Sequence, residues 1–75
     1  MKVEFEHENQ IFATADLEIP LYEDESVRIY GKDYIVHSNY HDVEIDENGT
    51  HENLIYSLVT EEEYEEWETM DTYRR

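Results

Sequence analysis

The stretch that most constrains this fold is 27–36, which predicts two short strands around a central Gly31-Lys32 pair. A glycine at the first central position is typical of a two-residue type II′ hairpin turn. With that turn, Ile29 faces Tyr34 across the hairpin. Because strand side chains alternate between two faces, this register gathers four apolar side chains on one face: Val27, Ile29, Tyr34 and Val36.

Alternating apolar residues predict more short strands before this hairpin. Val3 and Phe5 alternate with glutamates, and a three-residue turn at 7–9 would return the chain so that Ile11 pairs with Phe5 and Ala13 with Val3. The apolar residues at 17, 19 and 21 alternate again, and because Pro20 lacks a backbone donor, that segment lies at a sheet edge or ends there. Residues 22–26 then form an acidic loop.

The pattern after Val36 is less regular. Tyr40 keeps the parity of Val36, whereas the apolar residues at 43 and 45 take the opposite parity. Such a switch predicts a β-bulge near His41-Asp42. Residues 46–53 form a polar connection around an Asn48-Gly49 turn, and the apolar run 54–59 predicts a central strand.

The last element is predicted to be a short helix over 61–70. Thr60 can cap its first turn while Glu63 reaches back to the backbone of Thr60, an arrangement known as a capping box. Tyr64, Trp67 and Met70 would share one face and pack on the sheet. Residues 72–75 are predicted to fray.

These elements predict one mainly β, β-rich α+β domain over 1–71, with about five strands and a C-terminal helix. A small antiparallel SH3-like barrel is the first choice, and an open, strongly bent sheet is the second. A compact chain of 75 residues would have a radius of gyration of roughly 11 Å and a diameter of about 30 Å.

Charge is the main indicator of function. The chain carries 21 acidic residues against 5 Lys and Arg, for a net charge of −16, and it has no cysteine. This charge repels nucleic acid and anionic membranes and attracts basic partners. The lack of cysteine excludes disulfides and thiolate metal sites, and no apolar run is long enough for a membrane helix or a signal peptide. We therefore expect a cytoplasmic protein that binds neither nucleic acid nor membranes directly.

A segment from Pro20 to about Glu44 resembles short SH3-like barrel proteins encoded in bacteriophage genomes. Glu23 stands where that pattern usually has a turn glycine. The resemblance implies a barrel fold, a phage or prophage origin and therefore the host bacterial cytoplasm, and it brings no catalytic residue. The matching residues are Pro20, Asp24, Val27, Ile29, Gly31, Tyr34, Val36, His41 and Asp42.

Sites of catalysis or metal binding are not evident. Residues 44–49 resemble the start of a calcium-binding EF-hand loop, but Ile55 stands where that loop needs a bidentate glutamate, so a hairpin turn is the better interpretation. His37 and His41 have a spacing that would suit a transition metal, but two ordinary histidines on the sheet surface are the better interpretation. Nucleophile elbows and glycine-rich phosphate loops are absent. We therefore expect no enzyme, no cofactor and no metal.

The acidic surface itself remains the best candidate. Duplex DNA about 30 Å long carries about 18 charges, whereas solubility asks for a net charge of only about 2–8. We therefore interpret the protein as a nucleic-acid mimic that inhibits a basic DNA- or RNA-binding protein, such as a defence nuclease or a restriction or CRISPR enzyme. The alternatives are a phage assembly module, another acidic interaction module and a cation-binding protein. The predicted contact residues are Tyr22, Glu23, Asp24, Glu25, Tyr30, Glu61, Glu62, Glu65, Glu66 and Glu68.

Overall fold

A computed structural model describes residues 1–66, which form five strands and the beginning of one helix. The helix, α1, starts at residue 61 and is described as far as residue 66. The predicted β-rich α+β class with five strands is therefore confirmed. Trp67, Glu68, Met70, the domain boundary at 71 and the tail 72–75 lie outside the described residues. The strands are β1 (Lys2–His7), β2 (Gln10–Asp16), β3 (Ser26–Ile29), β4 (Lys32–Asp46) and β5 (Gly49–Thr60).

The strands form one open mixed sheet in the order β2-β1-β5-β4-β3. Strands β1 and β5 are parallel, and the other neighbouring pairs are antiparallel. A barrel would require the edge strands β2 and β3 to pair with each other. A groove of about 320 Å³ instead lies between them, lined by residues that include Ala13, Thr14, Val27 and Ile29. The expected closed antiparallel barrel is therefore wrong, and the open-sheet alternative is right.

One face of this sheet carries the core and is called the inner face. Its buried side chains are Val3, Phe5, Tyr34, Val36, Tyr56 and Leu58. Phe5 and Tyr56 stack with their ring centroids 5.9 Å apart. This ring contact stabilises the core in addition to the burial of both rings. The opposite face, called the outer face, carries the intervening residues of the same strands.

The β3–β4 hairpin exists, but its predicted register is wrong. Ile29 faces Lys32, and the two turn residues are Tyr30 and Gly31 with φ of 50° and 78°. Positive φ at both positions defines a type I′ turn, in which glycine favours the second position. The new register sets Arg28 opposite Asp33 with a 2.8 Å ion pair. The four predicted apolar residues still share the inner face, because the shift moves each pairing by two residues.

The β1–β2 hairpin also turns more tightly than predicted. Glu8 and Asn9 form a two-residue turn with φ of 54° and 65°. Phe5 faces Ala13 instead of Ile11, because a bulge between Phe5 and Glu6 leaves one extra residue, Phe12, in β2. The bulge allows the Phe12 ring to reach within 5.3 Å of the Tyr34 ring, while Ile11 is exposed.

The predicted strand at 17–21 is absent, since the chain there is irregular. Its backbone bonds go elsewhere: Leu17 N donates to Met1 O, and Leu21 N donates to the Tyr56 hydroxyl at 2.9 Å. Leu17 and Leu21 still pack against the core, whereas Ile19 is exposed. The predicted acidic loop is confirmed at 22–25, and residue 26 already belongs to β3.

Strands β4 and β5 form a long hairpin that extends beyond the core. A two-residue turn at 47–48 joins them. The predicted polar connection over 46–53 is therefore wrong except at this turn, because residues 49–53 belong to β5 and pair with β4. The bulge lies between Val36 and Ser38, at His37, and not at 41–42. Residues 38–52 are all exposed. We call residues 38–53 the arm.

The arm explains why the protein is less compact than its length predicts. Its radius of gyration is 14.4 Å, and its principal extents are 49 × 29 × 21 Å. A chain of this size packed into a sphere would measure about 30 Å across. The long axis therefore exceeds the expected diameter, and the net charge is distributed over a longer body.

Candidate acidic interface

Acidic side chains of β1 and β4 meet on the outer face of the sheet. In β1, Glu4 and Glu6 alternate with the buried Val3 and Phe5 and so point away from the core. In β4, the bulge at His37 exchanges the faces on which odd and even residues lie. Val36 faces Leu58 on the inner side, whereas Ser38, two residues on, faces Ser57 on the outer side. Every second residue after the bulge therefore lies on the outer face. We call the acidic residues of this face the outer stripe: Glu4, Glu6, Asp42, Glu44 and Asp46.

Tyr40 lies within the outer stripe and is 44% exposed. Its hydroxyl donates a 2.7 Å hydrogen bond to Glu6 Oε2. That bond, desolvation and the charges of Glu6, Asp42 and Glu4 raise the pKa of the Tyr40 phenol. Since a nearby negative charge disfavours the phenolate, the shift indicates a negative potential around this ring.

The carboxylates of the arm have a regular spacing. Residues at alternate positions of a strand are about 6.8 Å apart, so the backbone from Asp42 to Asp46 spans about 14 Å. Phosphates along one DNA strand advance by about 3.4 Å each. The stripe on β4 therefore offers about one carboxylate for every second phosphate position.

The predicted contact residues of the loop and the helix lie beside each other. Tyr64 of α1 donates its hydroxyl to Asp24 Oδ1 at 3.0 Å, which connects the helix to the 22–25 loop. The loop also pairs with β4, through Asp24 N to Val36 O and Val36 N to Glu25 O. We call the exposed acids of this region the helix–loop surface: Glu23, Asp24, Glu25, Glu61, Glu62, Glu65 and Glu66.

The two tyrosines predicted as contact residues are strongly exposed, Tyr22 at 66% and Tyr30 at 87%. Tyr30 has φ of 50°, a left-handed conformation that an ordinary side chain adopts only at a cost. Neither burial nor a turn requirement explains why a tyrosine stands there, since Asn would fit the same turn better. Strained exposed residues are common at binding sites, so Tyr30 remains a candidate contact.

The predicted capping box is confirmed. Thr60 N donates to Glu63 Oε1 at 2.9 Å, and Glu63 N donates to Thr60 Oγ1 at 3.2 Å. His7 Nε2 lies 2.7 Å from the same Glu63 oxygen. The backbone hydrogen bond from Thr60, followed by the bond with His7, lowers the pKa of Glu63 from 4.5 to about 2. Glu63 therefore stays ionised and joins the start of α1 to the end of β1.

Basic groups are too few to neutralise the acids. Residues 1–66 contain 19 Asp and Glu and 3 Lys and Arg, and residues 67–75 add two of each sign. The N-terminal ammonium hydrogen-bonds Asp16 at 2.7 Å and lowers the pKa of that carboxyl. Arg28 donates a 2.8 Å hydrogen bond to Asp33 and lowers the pKa of that carboxyl as well. Most of the negative charge therefore remains available to a partner.

The two segments that the sequence analysis considered for cation binding, residues 44–49 and the pair His37 and His41, have structural roles in β4 and its turn. Asp46 Oδ1 accepts a 2.8 Å bond from Asn48 N within the two-residue turn, as expected of a hairpin and not of a calcium loop. His37 occupies the bulge and His41 lies farther along β4. Among the described residues, the side chains that cluster like metal ligands are instead His7, Glu8 and Glu63.

Sequence reasoning placed the contact residues on the loop and the helix and left out the outer stripe. The signal was present in Asp42, Glu44 and Asp46, which alternate with the apolar residues at 43 and 45. What the sequence does not show is that β1 lies next to β5 in parallel. This pairing brings Glu6 close enough to bond Tyr40.

Comparison of the chain with family models, with curated proteins and with solved structures finds no match. Within residues 1–66, no helix is long and apolar enough to cross a membrane. Function is therefore inferred from the geometry and charge of the described residues.

Proposed function

We propose that this protein is an acidic, phage-type inhibitor that mimics nucleic acid and occupies the basic groove of a DNA- or RNA-binding protein in the bacterial cytoplasm. The observation that carries the proposal is the outer stripe, where five carboxylates of β1 and β4 share one face around an exposed tyrosine. Host defence nucleases and restriction or CRISPR enzymes are the target class that a phage setting favours.

The dimensions of the molecule support this mimicry. Sixteen net negative charges over a long axis of 49 Å amount to one charge per about 3 Å. A single DNA strand carries one per about 3.4 Å of axis, and the duplex one per about 1.7 Å. The linear charge density therefore resembles that of one strand, which is what a groove facing one side of a backbone contacts.

Each carboxylate would take the place of a phosphate and accept charge-assisted hydrogen bonds from Arg or Lys of the target. Exposed tyrosines would contribute apolar contacts at the centre or rim of the interface: Tyr22, Tyr30 and Tyr40. Opposite charges would accelerate association and make it sensitive to salt. Inhibition would follow because the target cannot hold this protein and its nucleic acid at the same time.

The test uses the immobilised protein and a nuclease-treated bacterial lysate, with the captured proteins identified by mass spectrometry. A stripe variant carries Asp42→Asn, Glu44→Gln and Asp46→Asn. A matched helix variant carries Glu61→Gln, Glu62→Gln and Glu66→Gln, which removes the same number of charges from the helix–loop surface. Duplex DNA and an uncharged polymer serve as competing eluents.

We expect the wild type to capture basic nucleic-acid-binding proteins that duplex DNA releases and the uncharged polymer does not. The stripe variant should lose this capture while its melting temperature stays equal or rises. Capture that survives in both variants would refute mimicry. Simultaneous binding of the target to DNA and to this protein would also refute it.

A second candidate, a structural or assembly module, is favoured by the groove of about 320 Å³ between the edge strands β2 and β3. Exposed strand edges present unpaired backbone groups to other chains. Thr14 is exposed and lines this groove, so Thr14→Lys should block strand addition. At 0.5 M NaCl, where the screening length is about 4–5 Å, capture that depends on charge is weakened. Partners that the stripe variant still captures at this salt, and that Thr14→Lys does not capture, would support this alternative.

A further inference from the structure

Three side chains with metal-ligating atoms converge where the β1–β2 turn meets the start of α1. They are His7, Glu8 and Glu63, and their ligand atoms all lie within 4.8 Å of one another. His7 and Glu63 are far apart in the sequence and are brought together because β1 runs parallel to β5. This cluster is separate from the outer stripe.

Two of the three ligand side chains, His7 and Glu63, are held by contacts, and the third lies in a tight turn. The His7 ring is 19% exposed and meets the Tyr34 ring edge-on, with centroids 5.5 Å apart. The Glu63 carboxylate is oriented by the bond that its Oε1 accepts from Thr60 N. Glu8 occupies the first position of a tight turn with φ of 54°. Holding two of the ligands in advance reduces the conformational freedom that is lost when an ion binds.

We infer that this cluster is a divalent metal site and that its ion is of the Zn²⁺ class. One imidazole nitrogen and two carboxylate oxygens form a mixed donor set that suits first-row transition ions better than Mg²⁺ or Ca²⁺. Zinc sites with three protein ligands keep the remaining position for water. The net charge of −16 also concentrates cations near the protein.

Ion binding requires only a small rearrangement. The bonds that Glu63 accepts from Thr60 and His7 both go to Oε1, so Oε2 can bind the ion while the cap is kept. Two ligands of a tetrahedral zinc at ~2.1 Å lie about 3.4 Å apart. His7 Nε2 now lies 2.7 Å from Glu63 Oε1, so the imidazole would exchange its bond to Oε1 for a bond to an ion held by Oε2. The ion would replace the shared proton.

The test is calorimetric titration of the full chain with Zn²⁺ in chelator-treated buffer, with Co²⁺ absorption as the spectroscopic signature. His7→Gln and Glu8→Gln each remove one ligand. His51→Gln is the matched control, because His51 lies 3.3 Å from the Asp46 carboxylate on the exposed arm. Mg²⁺ at equal concentration measures the counterion effect that any acidic protein shows.

We expect one equivalent of Zn²⁺ to bind, at least tenfold more weakly to His7→Gln, several-fold more weakly to Glu8→Gln, and unchanged to His51→Gln. Co²⁺ should give visible d–d bands that both ligand variants lose. If His7→Gln does not fold, Glu8→Gln decides, because Glu8 is an exposed turn residue. Equal binding of Zn²⁺ to wild type and Glu8→Gln, or a calorimetric signal that Mg²⁺ reproduces, would overturn the assignment.

Discussion

Replacing Tyr30 by Asn should stabilise the protein while it weakens target binding. Tyr30 is the first residue of the β3–β4 turn, where φ is 50°. Asn adopts this region with little strain, and Asn-Gly is the preferred type I′ pair. The following residue is already Gly31, so a single substitution creates the favoured turn.

The magnitude follows from two opposing effects. The left-handed conformation costs an ordinary residue about 1–2 kcal/mol, and most of this is recovered with Asn. Tyr30 is 87% exposed, so roughly an eighth of an aromatic side chain is covered, about 25 Å². Losing that contact costs about 0.6 kcal/mol at about 25 cal/mol per Å². The net gain is about 0.5–1 kcal/mol, which corresponds to a rise in Tm of about 2–8 °C.

Thermal and urea unfolding followed by circular dichroism would measure this gain. Tyr22→Asn is the control without a strained turn: it removes a tyrosine that is 66% exposed from the 22–25 loop, and it should lower the melting temperature because it loses apolar contact and gains no favoured turn. Gly31→Ala is the opposite control. Its φ of 78° strains any side chain, although no atom lies within 4 Å of the added carbon, so it should lower the melting temperature.

A Tyr30→Asn variant with an unchanged or lower melting temperature would refute the proposed strain. The binding part of the prediction is separate and rests on the proposed function. If Tyr30 contacts the target, the stabilised variant should capture less of it from lysate. Undiminished capture would remove Tyr30 from the interface and leave the strain argument intact.

Three further predictions follow from contacts in the fold. Glu63→Gln should cost about 1 kcal/mol at pH 7, since the carboxylate is 42% exposed and solvent screens it. Because its folded pKa is lowered from 4.5 to about 2, this difference should be complete above pH 4.5 and vanish as the pH falls to 2; a pH-independent difference in unfolding free energy would contradict it. Tyr56→Phe leaves Leu21 N–H without its 2.9 Å partner and should cost about 1–3 kcal/mol in urea unfolding, whereas an unchanged midpoint would show that the loop is not held there. Raising NaCl from 0.1 to 0.5 M, which shortens the ~10 Å screening length, should raise the melting temperature, and a fall would show that the acids are already neutralised by bound cations.

Local patterns predicted most of the secondary structure. The alternation of Val3 with Phe5, the glycine turn at 31 and the Thr60–Glu63 capping box each depend on neighbours within a few residues, and each is present in the structure. The errors concern register. The turns of the β1–β2 and β3–β4 hairpins each lie about one residue from their predicted positions. The reason is that Glu8 and Tyr30 adopt positive φ, whereas sequence preference favours Gly or Asn at such positions.

Long-range pairing could not be predicted in the same way. The parallel alignment of β1 with β5 depends on two segments about fifty residues apart in the sequence, and no local pattern encodes it. That pairing joins the two halves of the sheet, which stays open because its edge strands β2 and β3 do not pair with each other. It also brings Glu6 to Tyr40 and His7 to Glu63, so both proposed sites depend on a contact that composition and periodicity do not indicate.

The bulge at His37 decides which side of the arm is acidic. Without it, the even-numbered residues of β4 would continue on the inner face of Tyr34 and Val36, and Asp42 and its acidic neighbours would face away from Glu4 and Glu6. With it, the residues at 43 and 45 lie on the inner side and the carboxylates join those of β1. One extra residue therefore assembles the outer stripe from two strands, in the way that bulges commonly redirect side chains beside functional sites.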